Sequence, residues 1–338
     1  MSQNLLGTIT RIADLDRQPY DIQQLDVSEW ATGDYVQGRV TGESTDLYIV
    51  EDMAGDMVPV QADDRLVGAF GNRAATLEGV GSWRDIRGGK MHWMTYAGVL
   101  GAFTSLSPFV PRPISLDYCG HVLRDGRKVR MSHFAMQMLE HHFDIPTILI
   151  IGTSMSSGKT VTGDLICREL SKLGLKVIGA KLTGAGAYRD ILTFKQNGAA
   201  EIYDFMDVGL PSTVVPADQY RAMIRPLLSH ISKQKPDFLV AEAGASPLEP
   251  YNGATAIEEL GENVRCTILC ASDPYAVVGV QQAFNLDPDL ITGPAANTTA
   301  AIELVRQLTG VPSLRNFGPG SAAAMRDFLI DKLEIRNL

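Results

Sequence analysis

Gly152-Thr-Ser-Met-Ser-Ser-Gly158-Lys159-Thr160 stands between the apolar run TILIIG, which ends at Gly152, and the helical stretch GKTVTGDLICRELSKLG. A buried strand that runs through a glycine-bounded loop into a helix is the setting a phosphate-binding loop needs. The helix N-terminus and the N–H groups of the loop then converge on one anion. The glycines let the backbone approach phosphate oxygens, the Lys159 ammonium can span the β and γ phosphates, and the Thr160 hydroxyl can ligate Mg²⁺. Gly152, Thr153, Ser156, Ser157, Gly158, Lys159 and Thr160 are therefore the candidate nucleotide-binding residues, and Mg-ATP is the expected ligand. The common loop has four residues between its first glycine and Gly-Lys-Thr, whereas five separate Gly152 from Gly158, so this one is a variant.

The strand, loop and helix open a longer alternation. After Pro146, TILIIG, the first helix and LKVIGAK make one βαβ unit, and strands recur at DFLVAEAG, VRCTILCAS, DLITG and PSLRNF. Helices are expected near 217–233, 254–261, 276–284, 298–308 and 321–333. The continuous apolar strands imply a mostly parallel sheet with helices on both faces over 145–338, whose ligands bind at the carboxyl ends of the strands. Residues 1–131 read differently. Short β runs (LGTITRIA, DYVQGRV, DLYIVEDM, DMVPVQA, AATLEGVG, MHWMTYAGVL) are broken by turn residues, which predicts a β-rich barrel or sandwich. Asp125-Gly126 in HVLRDGRKVRM marks a tight hairpin. Ser132 followed by HFAMQMLEHHF, with Phe134, Met138 and Leu139 at helical spacing, predicts a linker helix over 132–144. Trp30, Trp83 and Trp93 are read as core of the β half.

The chain has 338 residues, 45% of them hydrophobic, and a formal charge of −9. Two domains are expected at that length. No segment supplies the basic face that nucleic acid or anionic lipid would demand, so neither is an expected partner. The apolar runs fall well short of the roughly 20 residues of a spanning helix, and no secretory leader is visible, so a cytoplasmic protein is expected. Cys119, Cys167, Cys266 and Cys270 are too few and too scattered for a disulfide framework, and Cys266 and Cys270 read as strand packing.

The loop GTSMSSGKT resembles that of dethiobiotin synthetase and the related cobyrinic acid synthases, whose pattern is Gly-Thr, four variable residues, then Gly-Lys-Thr. The resemblance covers the C-terminal 190 residues or so. It implies a lysine at the end of the second strand, facing the γ phosphate and substrate, which VIGAKLTGAG supplies as Lys181. The neighbouring Gly184 and Gly186 independently favour close backbone approach to a ligand there. The resemblance also implies a metal-binding aspartate, best matched by Asp190 in RDILTF, with Asp204 and Asp207 as competitors. Glu242, which ends an apolar strand in FLVAEAGASPLEPY, is the implied metal glutamate. Asn297 in ITGPAANTT is the implied adenine contact. A homodimer is implied too. The polar, turn-rich run after Glu242 makes Ser246 a candidate substrate contact, with Glu249 beside it.

These residues point to an ATP-dependent ligase or phosphotransferase that activates a carboxylate or carbamate of a small molecule. Mg²⁺ would sit on Thr160, Asp190 and Glu242, and Lys159 and Lys181 would neutralise the transferred charge. The segment from Lys181 to Ser212 also resembles a P-loop family containing D-glutamate N-acetyltransferases. That likeness implies an acyltransferase whose loop holds coenzyme A phosphates. A nucleotide-operated switch or chaperone is the third reading.

Overall fold

The computed structural model describes residues 2–41, 48–244, 246–284 and 286–335. Asp46 and Leu47 of the expected DLYIVEDM strand, and Ala245 beside the Glu242 segment, lie outside them. The chain divides into one unit of Met1–Gln137 with Ala185–Arg189 and Phe205–Val215, and a second of Met138–Gly184, Asp190–Asp204 and Pro216–Leu338. The second half of the sequence thus lends two short segments to the first unit.

The first unit carries β1 (Asn4–Leu6), β2 (Asp21–Gln23), β3 (Tyr35–Val40), β4 (Tyr48–Glu51), β5 (Met57–Val60) and β6 (Arg65–Phe70). It continues with β7 (Asn72–Ala75), β8 (Gly79–Ser82), β9 (Lys90–Trp93), β10 (Val99–Leu106), β11 (Ile114–Arg124) and β12 (Arg127–Lys128). β6 pairs with β3, β3 with β11, β11 with β9 and β9 with β10, all antiparallel. A parallel pairing of β10 with β6 closes the ring, so of the two expected architectures the chain adopts the barrel. Strand alternation places Val36, Val40, Leu66, Phe70, Met91, Trp93, Leu100 and Leu116 in one core, with Trp30 and Trp83 packed among them. The barrel is narrow enough that a Cβ on Gly38 would lie 2.5 Å from the Met91 Cε. Asp125 (φ 51°) and Gly126 (φ 71°) make the hairpin turn between β11 and β12, as expected.

Buried Asp34 fixes the start of β3 by ion pairs to Lys128 (2.7 Å) and Arg130 (2.9 Å), with the His121 Nε2 3.3 Å from its carboxylate. Burial pushes its carboxyl pKa up, but the hydrogen bonds of His121 and Lys128 and the Lys128 charge hold it below its ordinary value. Buried Glu51, at the end of β4, accepts the N–H groups of Tyr188 (3.1 Å) and Arg189.

Several sequence expectations fail in detail. LGTITRIA is not one strand: Thr8–Thr10 form a 3₁₀ turn, because the Thr10 N–H and hydroxyl both donate to the Gly7 carbonyl. AATLEGVG spans the turn of the β7–β8 hairpin. The helix expected over 132–144 does not form beyond a 3₁₀ turn at Met131–His133. Helical periodicity there is defeated by competing acceptors. The Met136 N–H donates to the Asp207 carbonyl and the Leu139 N–H to the Ser229 hydroxyl, so donors that a helix would turn inward are used elsewhere.

The second unit holds β13 (Thr147–Gly152), β14 (Val177–Thr183), β15 (Glu201–Asp204), β16 (Phe238–Ala243), β17 (Val264–Cys270) and β18 (Leu290–Thr292). They form one parallel sheet in the order β15-β14-β16-β13-β17-β18. Its helices are α1 (Lys159–Lys172), α2 (Arg189–Gln196), α3 (Ala217–Lys233), α4 (Gly253–Leu260), α5 (Pro274–Phe284), α6 (Thr299–Thr309) and α7 (Ser321–Lys332). Every residue of β13 and β14 is buried, which requires cover on both faces of the sheet. PSLRNF contributes only an isolated bridge, Ser313 to Ile291. Cys266 and Cys270 are buried in β17, and burial pushes both thiols up to about 12, so they pack rather than react. No helix among the described residues is long and apolar enough to cross a membrane.

Candidate functional site

β13 enters the loop at Gly152 and α1 leaves it at Lys159, at the carboxyl edge of the sheet. Ser156 (φ 61°) and Gly158 (φ 94°) both adopt left-handed backbone, the conformation that turns successive N–H groups toward a common centre. Lys159 folds back over the loop, its Nζ donating to the Ser154 carbonyl at 2.8 Å and reaching the Ser157 hydroxyl at 3.4 Å. Only glycine fits beneath it: a Cβ on Gly152 would lie 2.4 Å from the Ser157 Oγ and 2.9 Å from the Lys159 Nζ. The sequence pattern therefore describes a built cradle, in which the first glycine makes room for the lysine.

The loop is clamped from behind by a residue that sequence reading missed. The Asn316 side-chain amide donates to the Gly158 carbonyl (3.2 Å) and to the Thr162 hydroxyl (3.1 Å), while Thr162 donates to the same carbonyl (2.9 Å). Gly293, after β18, packs so closely that a Cβ there would lie 2.4 Å from the Ser157 carbonyl oxygen. Asn316 lies 158 residues from Gly158 in an irregular segment, so no local spacing could reveal it. Asn316→Ala is expected to destabilise the protein by about 1–3 kcal/mol, since both hydrogen bonds of a buried side-chain amide go at once. Urea unfolding of wild type and variant, compared by their midpoints, checks this.

Charged side chains converge beside the loop. In the parallel register Asp204, Lys181 and Glu242 are direct neighbours on β15, β14 and β16, so their side chains emerge on one face at one height. Glu242 is in turn level with Ile150 on β13, two residues before the loop. Its Oε2 accepts from the Thr160 hydroxyl at 3.3 Å. Buried Lys181 forms an ion pair with Asp190, the second residue of α2. Burial opposes the charge on Lys181, yet the surrounding carboxylates of Asp190, Glu242 and Asp204 outweigh it and raise its pKa, so it stays an ammonium. Burial pushes the Glu242 carboxyl up, with Asp190 adding to the rise and Lys181 and Lys159 opposing it.

The structure brings Lys159, Thr160, Lys181, Asp190 and Glu242 together. It sorts the acidic candidates as well. Asp190 is engaged by Lys181, Asp204 stands level with Lys181 in the sheet, and Asp207 is bound to Arg11 at 2.7 Å in the other unit. Other candidates have structural duties. The Thr153 hydroxyl accepts the Ser272 N–H (3.1 Å), tying the loop to the exit of β17. Ser246 is buried in its turn, its N–H donating to Glu249 (2.6 Å) and its hydroxyl accepting from the Leu248 N–H (3.2 Å). Asn297 ends the 3₁₀ turn Pro294–Ala296 that follows Gly293, and its buried Oδ1 has no hydrogen-bond partner among the described residues.

As a metal site, the place that fits is the Thr160–Glu242 pair. Two cis oxygens bound to Mg²⁺ at about 2.1 Å lie about 3.0 Å apart, close to the 3.3 Å found here. Among the described residues no group of three or more His, Cys, Asp or Glu side chains could hold a metal. A cation here would therefore draw its remaining ligands from water and phosphate, which is the habit of Mg²⁺.

A parallel α/β sheet whose first strand passes through a lysine-closed, left-handed loop into a helix defines the P-loop class of nucleotide-binding folds. No protein-family model matches the chain, and none of the curated proteins matches it. Similar solved structures include the hydrogenase maturation factor HypB from Archaeoglobus fulgidus, at 19% identity, covering 56% of this chain and 91% of that one with a TM-score of 0.40. Chloroplast FtsY from Physcomitrella patens is 14% identical, covering 57% of this chain and 67% of that one, with a TM-score of 0.38. A DUF1611 family protein from Anabaena variabilis is 15% identical, covering 58% and 63%, with a TM-score of 0.36.

Proposed function

We propose that the chain binds Mg-ATP at the loop from Gly152 to Thr160 and transfers the γ phosphoryl group to a carboxylate or carbamate of a small molecule. The observation that carries this reading is the buried row Lys181–Glu242 beside the loop, bonded outward to Asp190 and Thr160. A loop alone would hold phosphate without using it. A buried lysine level with a metal-capable carboxylate adds the parts that transfer requires.

Each residue then has a defined task. The loop N–H groups and Lys159 hold the phosphates, and the cation supplies charge neutralisation when it is bound to Thr160 and Glu242. Lys181, kept charged by its carboxylate neighbours, faces the same edge and orients the acceptor carboxylate or carbamate by its ammonium. Asp190 fixes where that ammonium points. No side-chain nucleophile is required, because the substrate oxygen attacks phosphorus directly. The left-handed Ser156 and Gly158 and the Asn316 clamp keep the cradle in shape before the ligand arrives.

Two experiments test the reading. With ATP, Mg²⁺ and a panel of small carboxylic acids, hydroxylamine should trap an acyl phosphate as its hydroxamate, with ADP formed in equal amount. ADP release independent of every acid and amine, or binding of acetyl coenzyme A without ATP turnover, would overturn it. Glu242→Gln is expected to weaken the Mg²⁺ dependence specifically. The Mg²⁺ concentration for half-maximal turnover should rise by about tenfold or more, because a neutral amide replaces a charged ligand. Magnesium titration at saturating ATP reads this out, and an unchanged Mg²⁺ requirement would remove Glu242 from the metal.

A further inference from the structure

The outer face of the barrel presents a cavity of about 610 Å³ that the phosphate-loop chemistry does not use, lined by residues of the first unit alone. Its floor is a single cross-strand row. Arg65 on β6 pairs in register with Arg39 on β3, Arg39 with Asp117 on β11, and Asp117 with Lys90 on β9. Strand alternation sends Val36, Val40, Leu66 and Leu116 inward, so these charged positions share the outside. In a chain with a formal charge of −9, this row sets three cations against one carboxylate.

Its ion pairing is incomplete. Asp117 serves both Arg39 (3.1 Å) and Lys90 (2.6 Å), and Arg39 also reaches Asp63 (2.8 Å). Among the described residues the Arg65 guanidinium has no ion-pair partner. Arg39 and Arg65 stand directly opposite one another, an arrangement that costs stability unless an anion lies between them. A second, independent feature points the same way. Gln37, two residues from Arg39 on the same face, lines the cavity and is only 5% exposed, and its Oε1 has no hydrogen-bond partner among the described residues. A buried acceptor left unmatched costs free energy that a ligand donor would recover.

We propose that this face is a second small-molecule site, which binds an acid carrying a hydrogen-bond donor close to its carboxylate, that is, a 2-amino or 2-hydroxy acid. The carboxylate lies across Arg39 and Arg65, the fork geometry of guanidinium suiting two carboxylate oxygens, and the amino or hydroxyl group donates to the Gln37 Oε1. A cavity of this size accommodates a molecule of that class. The site stands apart from the proposed phosphoryl transfer and does not depend on it.

The test is calorimetric titration of the full chain with L-glutamate and L-malate, and with sulfate as an oxyanion lacking a donor. Saturable binding of either acid is expected, tighter than sulfate, and weakened by about tenfold or more in Arg65→Ala, whose side chain is exposed and not part of the core. Gln37→Leu should lose the preference for the acids over sulfate while keeping anion binding. Lys159→Ala should bind both acids as wild type does. Failure of both acids to bind, binding unaffected by Arg65→Ala, or binding lost in Lys159→Ala would each overturn the proposal. ATP titration of Arg65→Ala, expected to match wild type, separates this outcome from failure at the phosphate loop.

Discussion

Lys159→Ala is expected to weaken Mg-ATP binding by about 100-fold or more, corresponding to about 3 kcal/mol, because a desolvated cation that faces phosphate oxygens is lost. The structure explains why no other side chain takes over. Lys159 reaches the loop through the space left by Gly152, where even a Cβ would be crowded, and its Nζ sits within the cradle on the Ser154 carbonyl. A longer, branched arginine head does not fit that space, so Lys159→Arg should also bind poorly. Equilibrium binding of a fluorescent ATP analogue measures both variants. Affinity within threefold of wild type in Lys159→Ala would contradict the role given to this residue.

The second large effect falls on turnover rather than binding. Lys181→Met keeps most of the side chain's length, one atom short, and removes its charge. It is expected to lower kcat by about 100- to 1,000-fold, the range seen when one preorganised charge that stabilises a transition state is removed. The ATP dissociation constant should change by less than about tenfold, since Lys159 and the loop N–H groups carry ground-state binding. Lys181 is buried between carboxylates, so the variant also leaves Asp190 and Glu242 without their shared cation. Lys181→Met/Asp190→Asn relieves part of that charge imbalance. If stability returns in the double variant and kcat does not, the lysine acts in the reaction. If kcat returns with stability, its role is structural.

The two halves of the chain differ in how much of them the sequence discloses. The loop from Gly152 to Thr160 was legible because its parts are contiguous and each residue type has one physical reason to be there. Glu242 and Lys181 were legible as strand ends, but their adjacency was not. It arises from the order β14-β16-β13, which places three strands remote in sequence side by side. Asn316 was invisible for the same reason in stronger form, since PSLRNF around it reads as a strand and the structure gives that run only an isolated bridge. In the first half, individual strands such as Tyr35–Val40 could be read from their alternation. Barrel closure could not, because it depends on the parallel pairing of β10 with β6, which no turn residue announces.

The misread linker helix teaches a different lesson. Phe134, Met138 and Leu139 have helical spacing, yet Met138 is 59% exposed and the stretch forms no more than the 3₁₀ turn at Met131–His133. Asp207 and Ser229 accept those donors instead, and both acceptors are distant in sequence. Periodicity reports which residues could share a face, and it is overruled where tertiary acceptors are closer at hand.

The most direct test of the central claim is calorimetric titration of the purified chain with ATP, GTP and acetyl coenzyme A, each with and without Mg²⁺, alongside Lys159→Ala. The predicted result is saturable, Mg²⁺-dependent binding of ATP that disappears in the variant. Binding of acetyl coenzyme A with no response to ATP, or ATP binding indifferent to both Mg²⁺ and Lys159, would contradict it.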